Sequence, residues 1–408
     1  MLKRMEKPGP SKLEKIVESE MSSVHCSRII ESCCRHRSIN EVEPACECIP
    51  RLTGGYENFI LFTEGDELYE NMLSSIASAE RSIRLESYIL ADDEVGRRFA
   101  EALVERARAG IEIRVLVDAA GSLFWGSGSF GRTLRNKGLR VRYFHSWSWR
   151  APFRYNRRDH RKMLVIDEKL LYLGGFNIHR ESSKSVFGEK RWRDTHVCVY
   201  DGLAADGAEM FDAFWQGKLD LLPKYKSCVS ALLPNNTHVC RQPLHCLYMD
   251  SFQRATTSVF LTTPYFVPDY RTMQALVAAA RRGVDCRLLV PWKSDVWLTQ
   301  WAARAAYANL LRAGVRIYEY LPRMLHAKTA LVDGSWATVG TANMDYRSFF
   351  TNYELNLVTR NVELCRQLHD QFKKDISEAE EICPSKWMRR SWGHHITETV
   401  GWLARRWL

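Results

Sequence analysis

The chain has 408 residues, 46% of them hydrophobic, which is enough to bury a core in two or three domain-sized units and excludes a disordered protein. Its formal charge of +10 points to an anionic partner, whether nucleic acid, an acidic membrane surface or a phosphate substrate, and does not choose among them. No stretch reaches the ~18 consecutive apolar residues of a membrane-spanning helix.

Residues 1 to 50 are polar and lack a sustained period, so they read as a poorly ordered extension. The opening MLKRMEKPGPSKLEK has no apolar segment after its basic residues; a secretory signal is not expected, and a cytoplasmic location would keep the cysteines reduced. His25, Cys26, Cys33, Cys34, His36, Cys46 and Cys48 crowd here, but without a Cys-x2-Cys pair a plain tail is preferred over a zinc site.

A first half is expected over residues 51 to 225. FILF reads as a strand, Asp66 to Ala79 as a helix, and the run ending near Ile89 as a buried strand. A helix from Glu94 to Ala109, stopped by Gly110, leads into a strand from Ile111 to Asp118. Alternating strands and helices imply an α/β sandwich. Asp118, Gly121 and Ser122 follow a strand and are placed at the mouth of a site, with SLFWGSGSFG as a mobile loop.

The stretch YNRRDHRKMLVIDEKLLYLGGFN, from Tyr155 to Asn177, holds His160, Lys162, Asp167, Gly174, Gly175 and Asn177. His160 and Lys162 are two apart, as on one face of a strand. Met163 to Ile166 and Leu170 to Leu173 read as the arms of a hairpin turning at Asp167-Glu168, which returns Asn177 toward the histidine. Gly174 and Gly175 let the backbone approach a ligand or take positive φ. Farther on, Asp194 lies in the strand-like run RWRDTHVCV.

The second half, expected over 226 to 380, repeats this plan. A helix through Arg271 to Arg282 and the strand VDCRLLVP align with the first half at Gly110 and Gly283, and GLRVRYF from Gly138 aligns with GVRIYEY from Gly314. LHAKTALVDGSWATVGTAN then repeats the motif spacing with His326, Lys328, Asp333, Gly340, Thr341 and Asn343, and Glu354 follows in NYELNLV. Gly138 to His160 spans 22 positions (160 − 138), whereas Gly314 to His326 spans 12 (326 − 314), so the first half carries an insertion. It interleaves Trp147, Trp149, Phe153 and Tyr155 with Arg150, Arg154, Arg157 and Arg158, which suits lipid headgroups at a membrane interface or stacked single-stranded bases. The tail, residues 381 to 408, reads as a basic amphipathic helix with Met388, Trp392, Ile396, Val400, Leu403 and Trp407 on one stripe; it would anchor at a membrane interface or dock on the core.

Duplication makes the pattern chemical. Two copies face to face supply one imidazole to attack phosphorus and a second to protonate the leaving oxygen, with two lysines and two asparagines on the phosphoryl oxygens. Buried carboxylates need partners, so Asp194 and Glu354 are expected to orient the histidines, with a salt bridge to arginine as the alternative. Asp167 and Asp333 sit at turns, where they would hold the hairpins and the halves in register.

At these residues the chain resembles the phospholipase D superfamily, and within it, over about residues 55 to 375, the bacterial cardiolipin synthases of the shorter type without amino-terminal transmembrane helices. The supporting residues are the two motifs, Gly174-Gly175 before Phe176-Asn177, Ala337 to Gly340, Asn343 followed by Asp345, and Asn352 to Asn356 around Glu354. Thr341 stands where serine is usual. The resemblance implies two similar phospholipase D-like α/β sandwich halves packed pseudo-symmetrically around one active site. It makes His160, Lys162, Asp167, His326, Lys328 and Asp333 the catalytic motif residues, places Asn177, Asn343, Gly175 and Thr341 on the substrate, and gives Asp194 and Glu354 to the histidines. It implies a covalent phosphohistidine with no metal and no cofactor. The implied partners are phosphatidylglycerol, other anionic phospholipids and the cytoplasmic surface of the membrane, with no nucleic acid; the oligomeric state stays open. A lipid hydrolase, a metal-independent nuclease of the same superfamily and a non-catalytic membrane-binding protein are the alternatives.

Overall fold

The computed structural model describes residues 49–122, 127–145, 156–200, 202–221, 229–238, 240–390 and 392–404. The cysteine-bearing extension as far as residue 48, and Trp147, Trp149, Arg150, Phe153, Arg154, Tyr155, Arg405, Arg406 and Trp407, lie outside the described residues.

The first sheet is built from β1 (Phe59–Phe62), β2 (Ser82–Ser87), β3 (Glu112–Asp118), β4 (Arg140–Phe144), β5 (Met163–Ile166), β6 (Leu170–Gly174) and β7 (His196–Tyr200). Their spatial order is β1-β7-β6-β5-β2-β3-β4. The later strands are β8 (Ser230–Pro234), β9 (Ser258–Thr262), β10 (Phe266–Val267), β11 (Asp285–Pro291), β12 (Arg316–Tyr320), β13 (Thr329–Val332), β14 (Trp336–Gly340), β15 (Met344–Asp345), β16 (Leu355–Thr359) and β17 (Ala379–Glu381). The second large sheet runs β17-β12-β11-β9-β13-β14-β16-β8. Read from its other edge, it repeats the first order strand for strand and adds only β17, which pairs antiparallel with β12. β10 and β15 pair separately.

Alternation along the strands decides the layering. Met163 and Val165 of β5 turn to one core, while Leu164 and Ile166 turn to another. The first core lies between the sheets: Leu171, Val197 and Phe211 meet Leu232, Phe260, Leu331, Val339 and Leu357 from the second half. The outer cores pack each sheet against its own helices, Gly65–Ala77 and Glu94–Arg108 on one side, Pro243–Arg254, Tyr270–Arg281 and Trp297–Ala313 on the other. Buried on both faces, the central strands need continuous apolar runs such as MLVI, so periodicity alone does not distinguish them from helix.

Both motif hairpins close in the same way. Met163↔Leu173 and Ile166↔Leu170 set the register of one, Thr329↔Val339 and Val332↔Trp336 that of the other. The turns put two residues in the left-handed region: Asp167 and Glu168 at φ 52 and 60, Asp333 and Gly334 at φ 51 and 63. Such a pair matches the right-handed twist of the arms.

The tail is not one continuous helix. A short helix over Pro384–Trp387 is separated from the helix Trp392–Ala404, and Arg390 ties the break by bonding Glu398 at 2.5 Å. The later helix packs on Trp297–Ala313. Of the expected apolar stripe, Met388, Val400 and Leu403 stand exposed.

Candidate active site

Each motif histidine is placed by a backbone bridge to the opposite half. The His160 N–H donates to Tyr353 O at 2.9 Å and Tyr353 N–H to Arg158 O at 2.8 Å. The His326 N–H donates to Arg193 O at 2.7 Å and Arg193 N–H to Met324 O at 2.8 Å. The residue after each acceptor is an acid, so the bridges deliver Glu354 to His160 and Asp194 to His326. Glu354 Oε2 and Oε1 lie 2.9 and 3.1 Å from His160 Nδ1, and Asp194 Oδ2 lies 2.5 Å from His326 Nδ1. With Nδ1 engaged by a carboxylate, Nε2 is the nitrogen turned to chemistry. These are the imidazole partners the sequence suggested rather than arginines, each crossing from the other half.

The small residues after β6 and β14 serve these acids. Neither Gly174 nor Gly175 has positive φ. A Cβ on Gly175 would overlap the Asp194 carboxylate, and one on Gly174 would overlap the backbone of Thr195 and His196. Thr341, the counterpart of Gly175, donates through Oγ1 to Glu354 Oε2 at 2.6 Å, and Ser348 Oγ donates to Oε1 at 2.9 Å. Gly175 and Thr341, expected on the substrate, each border one of the two carboxylates.

Both lysines fold back along the motif. Lys162 Nζ donates to His160 O at 2.6 Å, and Lys328 Nζ donates to His326 O and lies 2.9 Å from His326 Nδ1. Burial lowers both, with Lys328 adding to the effect on Lys162, to about 7 for Lys162 and about 8 for Lys328. Burial also lowers both imidazoles. The largest neighbour effect on His160 is Glu354, which opposes the fall, whereas on His326 it is Lys328, which adds to the effect of burial and leaves that ring at about 3. Burial works against the charge of Asp194 and Glu354, yet Lys328 and His326 for the first, and His160 for the second, hold both carboxyls below the ordinary range. Lys328 acts on His160 and Lys162 on His326, so the basic groups of the two halves share one field.

Asn177 and Asn343 are buried at the ends of the hairpins. The Asn177 amide oxygen accepts from Ile89 N–H at 3.1 Å, and Asn343 Oδ1 is buried with no hydrogen-bond partner among the described residues. Tyr88 packs edge-on to the His160 ring at 4.9 Å and Trp192 packs on His326 at 5.1 Å. Sequence reasoning singled out neither, although Trp192 lies two positions before Asp194 and Tyr88 one before Ile89.

Asp167 and Asp333 stand apart from the two histidines. Each sits at the turn end of its hairpin, beyond the whole length of β5 or β13 from the histidine. Asp167 accepts from the N–H groups of Glu80, Arg81 and Ser82 at 2.7–2.8 Å, and Asp333 from those of Thr256, Thr257 and Ser258 at 2.8–3.1 Å. Both clamps stay within one half, so the aspartates do not register the halves against each other either. Asp118, fully buried and pushed up to about 6 by its burial, accepts from Asp159 N–H at 2.9 Å and Arg158 at 3.3 Å; it braces the segment entering His160 rather than lining a mouth. Ser122 Oγ donates to Tyr88 O at 3.0 Å, and the Tyr88 ring packs where a Cβ on Gly121 would stand.

Duplicated sheets joined across one seam, with a His–Lys pair from each meeting carboxylates from the other, define a phospholipase D-type α/β enzyme. A phosphatidylserine synthase from Haemophilus influenzae shares the fold at TM-score 0.64 and 13% identity, over 88% of this chain and 97% of that one. A polyphosphate kinase from Porphyromonas gingivalis does so at TM-score 0.58 and 15% identity, over 80% of this chain and 49% of that one. The family model described as "Cardiolipin synthase, PLD-like domain" matches residues 72–215 and 248–376. A cardiolipin synthase of Clostridium perfringens is 34% identical over 83% of this chain and 75% of its own length, and cardiolipin synthase 2 of Bacillus anthracis is 34% identical over 83% and 68%. The chain belongs to the cardiolipin synthase family of phospholipase D-like enzymes.

Proposed function

We propose that this enzyme condenses two phosphatidylglycerol molecules into cardiolipin and glycerol. The observation that carries the reading is the crossed pair, His160 on Glu354 and His326 on Asp194, which presents two oriented imidazoles to one site. His160 Nε2 attacks phosphorus, forming the P–N bond as the P–O bond to glycerol breaks, and His326 Nε2 gives the departing oxygen its proton. The hydroxyl of the second phosphatidylglycerol then passes its proton to His326 and displaces His160 from phosphorus. Lys162, Lys328 and the –NH2 groups of Asn177 and Asn343 receive the phosphoryl oxygens.

The roles follow from the fields around the rings. His160 has Glu354 as its strongest neighbour, which favours the charge that grows on an attacking imidazole. His326 has Lys328 against Nδ1, which makes its proton easy to surrender; the bound phosphodiester supplies the negative charge that lets it hold one. Burial of both histidines and both lysines keeps water scarce around the phosphorus, so a lipid hydroxyl competes well. No helix among the described residues is long and apolar enough to cross a membrane, and we place the enzyme on the cytoplasmic face of the bilayer as a peripheral protein.

Labelled phosphatidylglycerol incubated with the purified protein should yield cardiolipin and free glycerol. Phosphatidic acid as the sole product would establish a hydrolase, and cleavage of single-stranded DNA in chelator without cardiolipin would establish a nuclease.

A further inference from the structure

Both strongly exposed tryptophans among the described residues lie in one short segment, Trp292 at 42% and Trp297 at 59%, with Val296 between them at 38%. This segment leaves the carboxyl end of β11. β11 runs parallel to β9, and β9 ends at Thr262, which pairs with Thr329, the first residue of β13 just beyond His326 and Lys328. The exposed segment therefore emerges at the end of the sheet that carries the second half-site. Tyr265 Oη fixes it there by donating to both oxygens of Asp295 at 2.8 Å, and the charge of Asp295 reaches Lys328.

Two further apolar side chains join it. Tyr270, 49% exposed, opens the helix that follows β10, and β10 pairs with β15 directly after Asn343. Leu403, 59% exposed, comes from the tail helix: Gly401, where a Cβ would overlap Ala302 N and Trp301, lets that helix press on the start of Trp297–Ala313. Trp387 against Tyr307 at 5.2 Å shows the chain descending antiparallel, which brings Leu403 to the Trp297 end. Lys293, 4.8 Å over the Trp292 ring, and Arg271 are exposed beside these groups.

The geometry points to this surface, Tyr270, Trp292, Val296, Trp297 and Leu403 with Lys293 and Arg271, as the place where the enzyme docks on an anionic lipid bilayer, beside the active site. The inference rests on the lipid reading above and names the face that meets the lipid. Tryptophan and tyrosine with flanking Lys and Arg are the side chains that settle at the boundary between headgroups and acyl chains. The cations interleaved with the exposed rings match the charge of a phosphate-bearing surface. Docked this way, a headgroup reaches Lys328 by moving sideways, with its acyl chains still in the bilayer.

The test is co-sedimentation of the full chain with vesicles of phosphatidylglycerol in phosphatidylcholine, and with phosphatidylcholine alone. The triple variant Trp292→Ser/Trp297→Ser/Leu403→Ser should bind the anionic vesicles at least about tenfold more weakly. Its turnover of short-chain, monomerically dispersed phosphatidylglycerol should match wild type. Arg271→Glu/Lys293→Glu should weaken binding to the anionic vesicles only, and Met388→Ser/Val362→Ser, exposed elsewhere, should change nothing. Undiminished vesicle binding by the triple variant would overturn the proposal, as would loss of turnover on dispersed lipid. Conversion of a dimer to a monomer with vesicle binding intact would overturn it too, in favour of a second copy as occupant. A wild-type protein that binds these vesicles through the surface yet makes no cardiolipin would sink the reaction and leave the surface standing.

Discussion

His160 and His326 enter equivalent strands of equivalent sheets, and each leans on an acid from the opposite half, yet the two acids are held by different means. Glu354 is gripped by the hydroxyls of Thr341 and Ser348 and gives both oxygens to its histidine. Asp194 has a shorter side chain, takes Thr195 N–H at 2.7 Å, and fits because Gly175 leaves room. The lysines differ as well: Lys162 bonds the backbone oxygen of its histidine and lies 5.2 Å over the Tyr88 ring, while Lys328 bonds its histidine's oxygen and also crowds Nδ1. The scaffold was duplicated and the electrostatics were not. Burial disfavours positive charge on both imidazoles, but Glu354 opposes it at His160 while Lys328 adds to it at His326, the asymmetry the proposed two-step transfer would use, with one ring attacking and its partner shuttling a proton.

The largest effect should come from the histidines. His160→Ala and His326→Ala should each lower cardiolipin formation by at least about a thousandfold. Only His326→Ala should retain stable label on the protein after exposure to labelled phosphatidylglycerol. Label on His160→Ala instead would reverse the two roles, and label on neither would refute a covalent route.

Glu354→Gln and Asp194→Asn should follow, each lowering kcat by roughly 10²–10⁴ through a misoriented ring. Because the pairs cross, a change in the second half disables the first-half histidine. A phosphatidyl donor with a p-nitrophenol leaving group, which departs without a proton, should restore the first step, read as a burst of p-nitrophenolate, in Asp194→Asn and His326→Ala but not in Glu354→Gln. Equal rescue of both acids would show that the half-sites are interchangeable.

Replacing the small residues sharpens the contrast. Gly175→Ala pushes Asp194 off its place and should cost about 10² in kcat. Thr341→Ala removes one of two hydroxyls on Glu354 and leaves Leu355 N–H without its 2.9 Å acceptor, so about tenfold in kcat and about 1–3 kcal/mol of stability in denaturant titration are expected.

How much of this was legible beforehand follows from what each signal is made of. The first hairpin was readable to within one residue, its second arm running on to Gly174, because an apolar run, a turn and a second apolar run leave one register. The motif histidines and lysines were readable because duplication at fixed spacing is a signal chance does not supply. The crossing was not, since the bridges joining Asp159 to Tyr353 and Arg193 to Leu325 are tertiary pairings between segments over a hundred residues apart, with no local pattern. Gly175 was legible only in part for a related reason: glycine signals that something comes close, and a sequence does not say that Asp194 is among its neighbours. The tail break was missed because Lys386 to Trp407 keeps a helical period straight through it, while the Arg390–Glu398 bond that marks the corner is visible only in three dimensions.

The smallest effect should fall on the turn aspartates, and it separates scaffold from site. Asp333→Asn keeps a side chain that tolerates φ near 51 and loses the charge that three backbone N–H groups and the hydroxyls of Thr256 and Thr257 converge upon. Burial opposes the charge, but those donors bring the folded pKa down to about 2, against ~3.9 in an unfolded chain. A depressed folded value stabilises above the unfolded pKa, so the contribution is complete above pH ~4 and disappears as pH falls through about 2. A fully buried group with that shift would be worth about 2.6 kcal/mol. Solvent access at this turn cuts it to about 1 kcal/mol. Wild type and Asp333→Asn should therefore differ by that amount in urea titrations at neutral pH, converge as the pH is lowered from 4 toward 2, and share the same kcat at neutral pH. A kcat loss beyond the loss of folded protein would return Asp333 to the catalytic set, and the hairpin clamp would not account for its place in the motif.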